Sequence, residues 1–367
     1  MLFARSDSSH IIGVTAAFAI VATAVLATGI EAAMLTDASL QICGDAIDVE
    51  FGKGTFDLPQ KALLDRVAQA ASAVAIYYGR LPADHYRIVL VPIAGRRGVL
   101  GGTTWGRGGA HSRILIGEHT AIADLNDDWI MTHEMVHTAF PTMSPEHHWI
   151  EEGIATYVEP LARSWIGDYP PKKVWADLVV GLPKGTPAAD DKGLDSTQTW
   201  GRTYWGGAMF CMLADVQIRL RTGGKHGLID ALRGILSASG GIQSEWPIAR
   251  AFKAGDEAVG VPVLEELYAQ MKSTPMSPDL AELWRRLGVE TNRDDPELDD
   301  LAPEAWIRRA ISAPPTDQTK HCGAVTVSRF VLEPVPGFIG IAQPSAQTIA
   351  ECRLRVDAAT ICGSVTH

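Results

Sequence analysis

The sequence contains no block of basic residues. Its 32 lysines and arginines are outnumbered by 43 aspartates and glutamates, which gives a formal net charge of −11. Proteins that bind nucleic acid normally carry a basic patch for the phosphate backbone, so nucleic acid is not an expected partner. The glycine-rich stretch 95–109 lacks the Gly-Lys-Ser/Thr ending of a P-loop, and the chain has no internal repeat. These absences argue against nucleotide-binding and repeat architectures.

Cysteine is also scarce, with five residues in a chain of 367. Cys211 lies within an apolar helical pattern and is predicted to be a buried thiol. Cys43, Cys322, Cys352 and Cys362 lie in turn-rich terminal segments and predict two disulfides, for which three pairings are possible. Disulfides favour a location outside the cytosol, although a cytosolic chain with free thiols stays open.

Residues 11–30 carry no charged side chain, and Arg5 is the only cation before them. The run is longer than the usual core of a signal peptide and just long enough to cross a bilayer. Residues 1–35 are therefore predicted to be either an export signal, cleaved near residues 27–29, or a retained membrane anchor. In both cases the catalytic part is expected outside the cytoplasm, in a periplasmic, secreted or membrane-anchored protein.

The stretch His133–His137, with the sequence HEMVH, places two histidines four residues apart. Residues i and i+4 lie on one face of a helix, so both imidazoles would point to a common position. Apolar residues 129–131 support a helix here, residues 126–128 form a plausible N-cap cluster, and Pro141 ends the pattern. Two imidazoles and one carboxylate suit a tetrahedral Zn²⁺ with an open fourth position. The alternative is a surface helix with two solvated histidines.

A third ligand is expected from the acidic pair Glu151 and Glu152, fifteen residues downstream. Glu152 precedes Gly153 and lies one helical turn before Thr156, whose hydroxyl could form a hydrogen bond that orients the ligand. A bound metal makes water more acidic, and Glu134 could take the proton and return it to a leaving group. The pattern therefore predicts a zinc hydrolase.

Histidines offer another source of a third ligand. His147 and His148 lie in the predicted loop after the first helix and could reach a metal, although loop histidines are more often solvated. A third histidine six residues after His137 is excluded, because residue 143 is Met.

These stretches resemble the gluzincin zinc metallopeptidases, in the branch that contains aminopeptidase N and glycyl aminopeptidase. The similar blocks are HEMVH at 133–137, WIEEGIATYVE at 149–159 and YWGGA at 204–208, within about residues 85–235. The resemblance implies one Zn²⁺ per chain, held by His133, His137 and Glu152. It also implies that Glu134 is the general base and acid and that Tyr204 stabilises the tetrahedral intermediate.

One departure concerns recognition of the substrate. Aminopeptidase N carries a Gly-x-Met-Glu-Asn segment, about thirty residues before the zinc helix, whose glutamate holds the free amine of the substrate. The corresponding stretch here, residues 101–106, reads GGTTWG and contains no acid. The expected partner is a peptide or protein substrate. Without this acid, the sequence does not indicate whether the enzyme would cleave at the end of the substrate or within it. The sequence does not indicate an oligomeric state.

The predicted fold is an α+β, thermolysin-like catalytic domain over residues 36–310. Its sheet-containing lobe covers about residues 36–140, with a helix near 58–78, strands near 86–91 and 112–116, and a loop at 95–109. The strand at 112–116 is expected to lie along the cleft and to pair with an extended substrate, with Arg107 and His111 beside it.

The predicted helical lobe covers about residues 141–310. Residues 160–202 are rich in Pro, Gly, Asp and Lys and predict a long exposed loop. Helices are expected near 207–220, 228–237, 263–272, 279–287 and 303–311. A linker and a small β-rich tail follow at 311–367, with strands near 324–332, 338–342 and 352–356. The tail is expected to pack on the catalytic lobes or to bind a partner.

The sequence thus predicts a zinc metallopeptidase. Two alternatives remain at this point: the same site acting on a non-peptide bond, and a catalytically idle, zinc-stabilised binding protein of the cell envelope. The presence of both Glu134 and Tyr204 favours an enzyme, since metal-stabilised binding needs neither.

Overall fold

A computed structural model describes residues 38–42, 45–291 and 296–315, together with the backbone of 325–328 and 352–354. The charge-free segment 11–30 and the predicted strand 338–342 lie outside these residues, as do the side chains of Cys43, Cys322, Cys352 and Cys362. The predictions made for them therefore stay predictions. None of the helices in the described part has the length and apolar content needed to cross a bilayer.

The sheet is built from β1 (Ala38–Ile42), β2 (Asp45–Phe51), β3 (His85–Ile93), β4 (Val99–Trp105) and β5 (Ala110–Gly117). Their order is β4-β5-β3-β2-β1. Strands β2, β3 and β5 run parallel, and β1 and β4 pair antiparallel with their neighbours. Beyond β1, the backbone segments β6 (Val325–Ser328) and β7 (Cys352–Leu354) continue the sheet. The two tail segments overlap two of the three strands predicted there.

Helix α1 (Gln60–Tyr78) connects the parallel strands β2 and β3, which need a crossover because a tight turn cannot join parallel neighbours. Its apolar residues Leu63, Val67 and Val74 are fully buried in the core. The helix ends at Gly79, whose φ of 84° lies in the left-handed region that glycine adopts easily. The helix predicted near 58–78 is confirmed.

The predicted loop at 95–109 is wrong over residues 99–105, which form β4. Gly101 and Gly102 weaken the strand signal, because glycine has no side chain to pack and loses much entropy on folding. The strand forms because β5 supplies a ladder of hydrogen bonds across the turn at 106–109. As a result β4, and not the strand at 112–116, is the edge strand beside the cleft.

The rest of the described chain is mainly helical, in agreement with the predicted α+β class. Its helices are α2 (Ile122–Asn126), α3 (Ile130–His137), α4 (His148–Trp165), α5 (Pro171–Gly181), α6 (Gly207–Thr222), α7 (Leu228–Ser239), α8 (Ile248–Val259), α9 (Val263–Met271), α10 (Leu280–Leu287) and α11 (Ala305–Ser312). Cys211 on α6 is a buried free thiol, as predicted, and burial raises its pKa.

The predicted loop at 160–202 is also partly wrong. Helix α4 continues through Pro160 as far as Trp165, and α5 follows a short turn. A proline inside a helix removes one backbone hydrogen bond, yet the apolar side chains of Val158 and Leu161 on either side of it are buried. Tertiary packing of α4 therefore outweighs the local signal to stop.

Helices α4 and α6 touch at a pair of glycines, Gly153 and Gly207. A Cβ atom at Gly207 would overlap the backbone at Trp149 and Gly153, and a Cβ at Gly153 would overlap the backbone of Gly207. Backbone cannot move aside as a flexible side chain can. Gly153, which follows Glu152, and Gly207, in the YWGGA block, are therefore both required for the close approach of α4 and α6.

We expect Gly207→Ala to lower the free energy of unfolding by about 1–3 kcal/mol, because the added methyl group must separate the two helices. Urea denaturation measures this directly. Gly101→Ala is the matched control, since nothing lies within 4 Å of a Cβ placed there. Equal stability of the two variants would contradict the close crossing.

Candidate metal centre

The HEMVH stretch forms α3, and its N-terminus is fixed by Asp128. The carboxylate of Asp128 accepts hydrogen bonds from the backbone N–H groups of Ile130, at 2.8 Å, and Met131, at 3.3 Å. The buried guanidinium of Arg66 pairs with the same carboxylate at 3.4 Å. Of the predicted N-cap cluster at 126–128, only Asp128 is found in this role, where it satisfies two N–H groups that the first helical turn leaves unpaired. Asn126 instead ends α2, and Asp127 follows it.

His133, His137 and Glu152 form the candidate metal site. Each offers one ligand atom, and these atoms all lie within 4.8 Å of one another. Oε2 of Glu152 lies 3.0 Å from Nε2 of His133 and 3.7 Å from Nε2 of His137. The i, i+4 spacing on α3 aims both imidazoles at α4, which carries the carboxylate. The structure therefore brings together the three predicted ligands.

The chemical state of these side chains fits a divalent metal. Burial lowers the pKa of His137 to about 4, so its imidazole is neutral and has a lone pair to donate. Burial alone would raise the pKa of Glu152, but hydrogen bonds from His133 and His148 outweigh it and hold the pKa well below its usual value. Two imidazoles and one ionised carboxylate are a donor set that zinc prefers.

Glu134 lies beside the ligands and is held from β4. Oγ1 of Thr104 donates a hydrogen bond to Oε2 of Glu134 at 2.7 Å. The absence of a side chain at Gly102 makes room, since a Cβ there would lie 2.7 Å from Oε1 of Glu134. Burial raises the pKa of Glu134, and the hydrogen bond from Thr104 opposes this rise. The carboxylate is thereby kept in one orientation at the wall of the cleft.

Thr104 itself belongs to a short chain of hydroxyl groups that are buried or partly buried. Its Oγ1 lies 2.6 Å from Oγ of Ser112 on β5, and Ser112 accepts a hydrogen bond of 2.5 Å from the hydroxyl of Tyr86 on β3. Sequence reasoning missed these residues because they come from three different strands. The only part of the sequence that drew attention to Thr104 was the GGTTWG stretch, which was considered only because it lacks an acid.

Tyr204 lies on a π-helical turn, Gly201–Gly206, that leads into α6. Such turns are rare and often occur at functional sites. The ring of Tyr204 stacks on that of His133, with centroids 6.1 Å apart. Burial and the nearby carboxylate of Glu152 raise its pKa to about 12, so the hydroxyl keeps its proton and can donate a hydrogen bond.

Two further residues, Thr156 and His111, were predicted to belong to the site. Thr156 is half-buried on α4, and among the described residues its hydroxyl makes no hydrogen bond to Glu152. His111 stacks on Trp105 with centroids 5.3 Å apart, and its Nδ1 lies 2.9 Å from the carbonyl oxygen of Gly109. Their roles in supporting a ligand and lining the cleft stay predictions.

The site opens into a cleft with a volume of about 800 Å³. The edge strand β4, Arg107 and the segment 242–245 line the cleft. Glu134, His137, Glu152 and Tyr204 all line the cleft, as does His148. His148 is the first residue of α4 and not a loop residue. The predicted base, two ligands and the tyrosine therefore face one space.

Comparison with known proteins supports the fold. An aminopeptidase N family protein from Idiomarina loihiensis matches 68% of this chain and 49% of its own length, with a TM-score of 0.50 and 13% identity. Over the matched part, the fold is similar to that of this aminopeptidase N family protein. The predicted resemblance to this family is thus confirmed for the fold, and the chain spans about half the length of that protein.

A second solved structure is the M1 zinc metallopeptidase from Deinococcus radiodurans. It has 16% identity and a TM-score of 0.41, and the match covers 64% of this chain and 50% of that one. No protein-family model matches the sequence. The search of curated proteins also found no match.

Proposed function

We propose that this protein is a zinc-dependent metallopeptidase that hydrolyses peptide bonds. The observation that carries the proposal is the convergence of His133, His137 and Glu152 beside a cleft that Glu134 and Tyr204 line. These three residues would hold one Zn²⁺ per chain. When bound, zinc supplies Lewis acidity, which polarises a substrate carbonyl and makes water a stronger acid.

The remaining steps are assigned to side chains of the chain itself. Glu134 takes a proton from the attacking water as the oxygen bonds to the carbonyl carbon. The hydroxyl of Tyr204 donates a hydrogen bond to the oxygen that gains negative charge. Glu134 then passes its proton to the leaving nitrogen as the C–N bond breaks. The products are a carboxylic acid and an amine, and Glu134 is left ionised.

The substrate would lie along β4. This strand has no neighbour on its outer side among the described strands, and residues 102–105 line the cleft. A peptide in extended conformation can hydrogen-bond to such an edge. The proposed substrate is therefore an extended peptide segment, and an extracytoplasmic location is proposed with it from the charge-free segment 11–30.

We expect Glu152→Ala to remove most of the bound metal. Purified wild-type protein should contain about one zinc per chain, because the site offers three ligands and an open position. Removing a residue that only hydrogen-bonds to a metal ligand typically weakens metal binding about 10–100-fold. Removing the ligand itself should weaken zinc binding by more than that. Elemental analysis after dialysis measures both.

Glu146→Ala is the matched control for this experiment, since Glu146 is an acid in the same region but outside the ligand set. Absence of zinc in the wild-type protein after refolding with metal would overturn the proposal.

A digest of a peptide library then distinguishes the remaining possibilities. Zinc without any cleavage would favour a non-peptide substrate or a binding protein, and the cleavage positions would tell an exopeptidase from an endopeptidase.

We expect Thr104→Val to lower kcat/KM by about tenfold to a hundredfold, because a hydrogen bond to a charged group contributes about 1.5–3 kcal/mol. The variant keeps the shape of the side chain and should still bind zinc. Thr104→Ser restores the hydroxyl and should recover most of the activity. Full activity of Thr104→Val would show that Glu134 needs no support from β4.

A further inference from the structure

The two oxygen atoms of the Glu152 carboxylate have different partners. Oε2 faces the histidines of α3, at 3.0 Å from His133 and 3.7 Å from His137. Oε1 lies 3.1 Å from Nε2 of His148. One oxygen therefore lies among the predicted ligands, while the other is engaged by a histidine that is not part of the ligand set.

His148 is itself held in place. Its Nδ1 lies 3.2 Å from Oε2 of Glu151, and Oε1 of Glu151 accepts a hydrogen bond of 3.1 Å from the backbone N–H of Met143. His148, Glu151 and Glu152 lie on the first turn of α4 at i, i+3 and i+4, so they share one helix face. The ring thus bridges an anchored carboxylate and the carboxylate that would bind the metal.

We infer that His148 is a positioning residue, which holds Oε1 of Glu152 and leaves Oε2 alone to bind the metal. A carboxylate can bind a metal through one oxygen or through both. A hydrogen bond to Oε1 favours binding through one oxygen and so keeps a coordination position open for water or substrate. This inference rests on the proposed function, because it assigns a role at the same metal site.

A simpler reading is an ion pair at the surface with little effect. The side chain of His148 is 55% exposed, and exposed pairs contribute little on their own. The partner of His148 is not exposed, however, since Glu152 is buried and its other oxygen faces two buried or nearly buried histidines. A residue that orients a metal ligand acts on metal affinity and coordination, and these can be measured without any substrate.

The test compares two substitutions, His148→Gln and His148→Asn, each of which keeps a nitrogen donor at only one of the two ring-nitrogen positions. The amide nitrogen of Gln can reach the position of Nε2 and donate to Glu152, whereas that of Asn reaches only the position of Nδ1 near Glu151. We expect His148→Asn to weaken zinc binding 10–100-fold in competition with a chelator. His148→Gln should remain within about threefold of the wild-type protein, which makes the pair a test of one hydrogen bond.

His147→Asn is the matched control. His147 precedes His148, but its Nε2 contacts the hydroxyl of Tyr268 at 3.0 Å and not Glu152, so zinc affinity should not change. Cobalt-loaded protein gives a second readout. In His148→Asn the freed carboxylate should bind through both oxygens, and the visible absorption of Co²⁺ should fall as the coordination number rises from four to five.

The outcomes separate this inference from the function on which it rests. Equal zinc affinity and equal cobalt spectra in wild-type protein and His148→Asn would overturn the positioning role alone, and so would equal losses in His148→Asn and His148→Gln. A wild-type protein that binds no zinc would overturn the proposed function and this role with it.

Discussion

Glu134→Gln should lower kcat/KM for peptide hydrolysis by about 10²–10⁴-fold and leave zinc binding intact, because only the proton transfer is removed. Glutamine has the size of glutamate but cannot accept a proton at pH 7. The position is well defined, since Thr104 holds one carboxylate oxygen and Gly102 leaves room for the other. The amide can therefore occupy the same place without rearranging β4.

Two measurements on the same protein sample check this result: zinc content and the initial rate on the best peptide from the library digest. Glu257→Gln is the matched control, since it removes one charge from the exposed face of α8, far along the chain from the site. Bound zinc together with full activity in Glu134→Gln would rule out Glu134 as the base. Loss of zinc would show instead that the residue contributes to metal binding.

The candidate metal site could be predicted from the sequence because most of its geometry is local. The four-residue spacing of His133 and His137 fixes their common direction once a helix forms. Asp128 marks the start of that helix, and it is found capping the first turn. Choosing Glu152 over Glu151 depended mainly on the family resemblance, because the sequence alone offers only the neighbouring Gly153 and the predicted support from Thr156.

The supporting residues could not be predicted in the same way, since their partners are distant in the sequence. Thr104 meets Glu134 across 30 positions and Ser112 across the β4–β5 hairpin. The hairpin itself was hidden by Gly101 and Gly102, which read as a loop until a neighbouring strand pairs with them. A helix in place of the predicted loop at 171–181 illustrates the same limit, because burial of one face decides it.

His148 is an intermediate case. From the sequence, His148 was interpreted as a residue able to reach a metal, and in the structure its ring lies 3.1 Å from the carboxylate of the predicted ligand Glu152. A local sequence pattern cannot predict the first residue of a helix to within one position. With α4 beginning at residue 148, the i and i+4 positions bring this histidine onto Glu152, whereas in a loop it would have no fixed partner.

Tyr204→Phe should lower kcat by about 10²–10³-fold with little change in KM, because a donor to the developing oxyanion acts in the transition state and not in substrate binding. The phenylalanine ring keeps the stacking on His133, so the metal ligand should stay in place. The hydroxyl is the only group removed. Its raised pKa, about 12, means that it is a donor throughout the neutral range.

Steady-state kinetics over a range of peptide concentrations separate the two parameters, and zinc content is measured beside them. Tyr169→Phe is the matched control, because it removes a tyrosine hydroxyl that donates to Asp177 on α5. A rise in KM with unchanged kcat would mean that Tyr204 binds the substrate equally in the ground state and the transition state. Unchanged kcat and KM would remove Tyr204 from the mechanism and leave stabilisation of the oxyanion to the metal site alone.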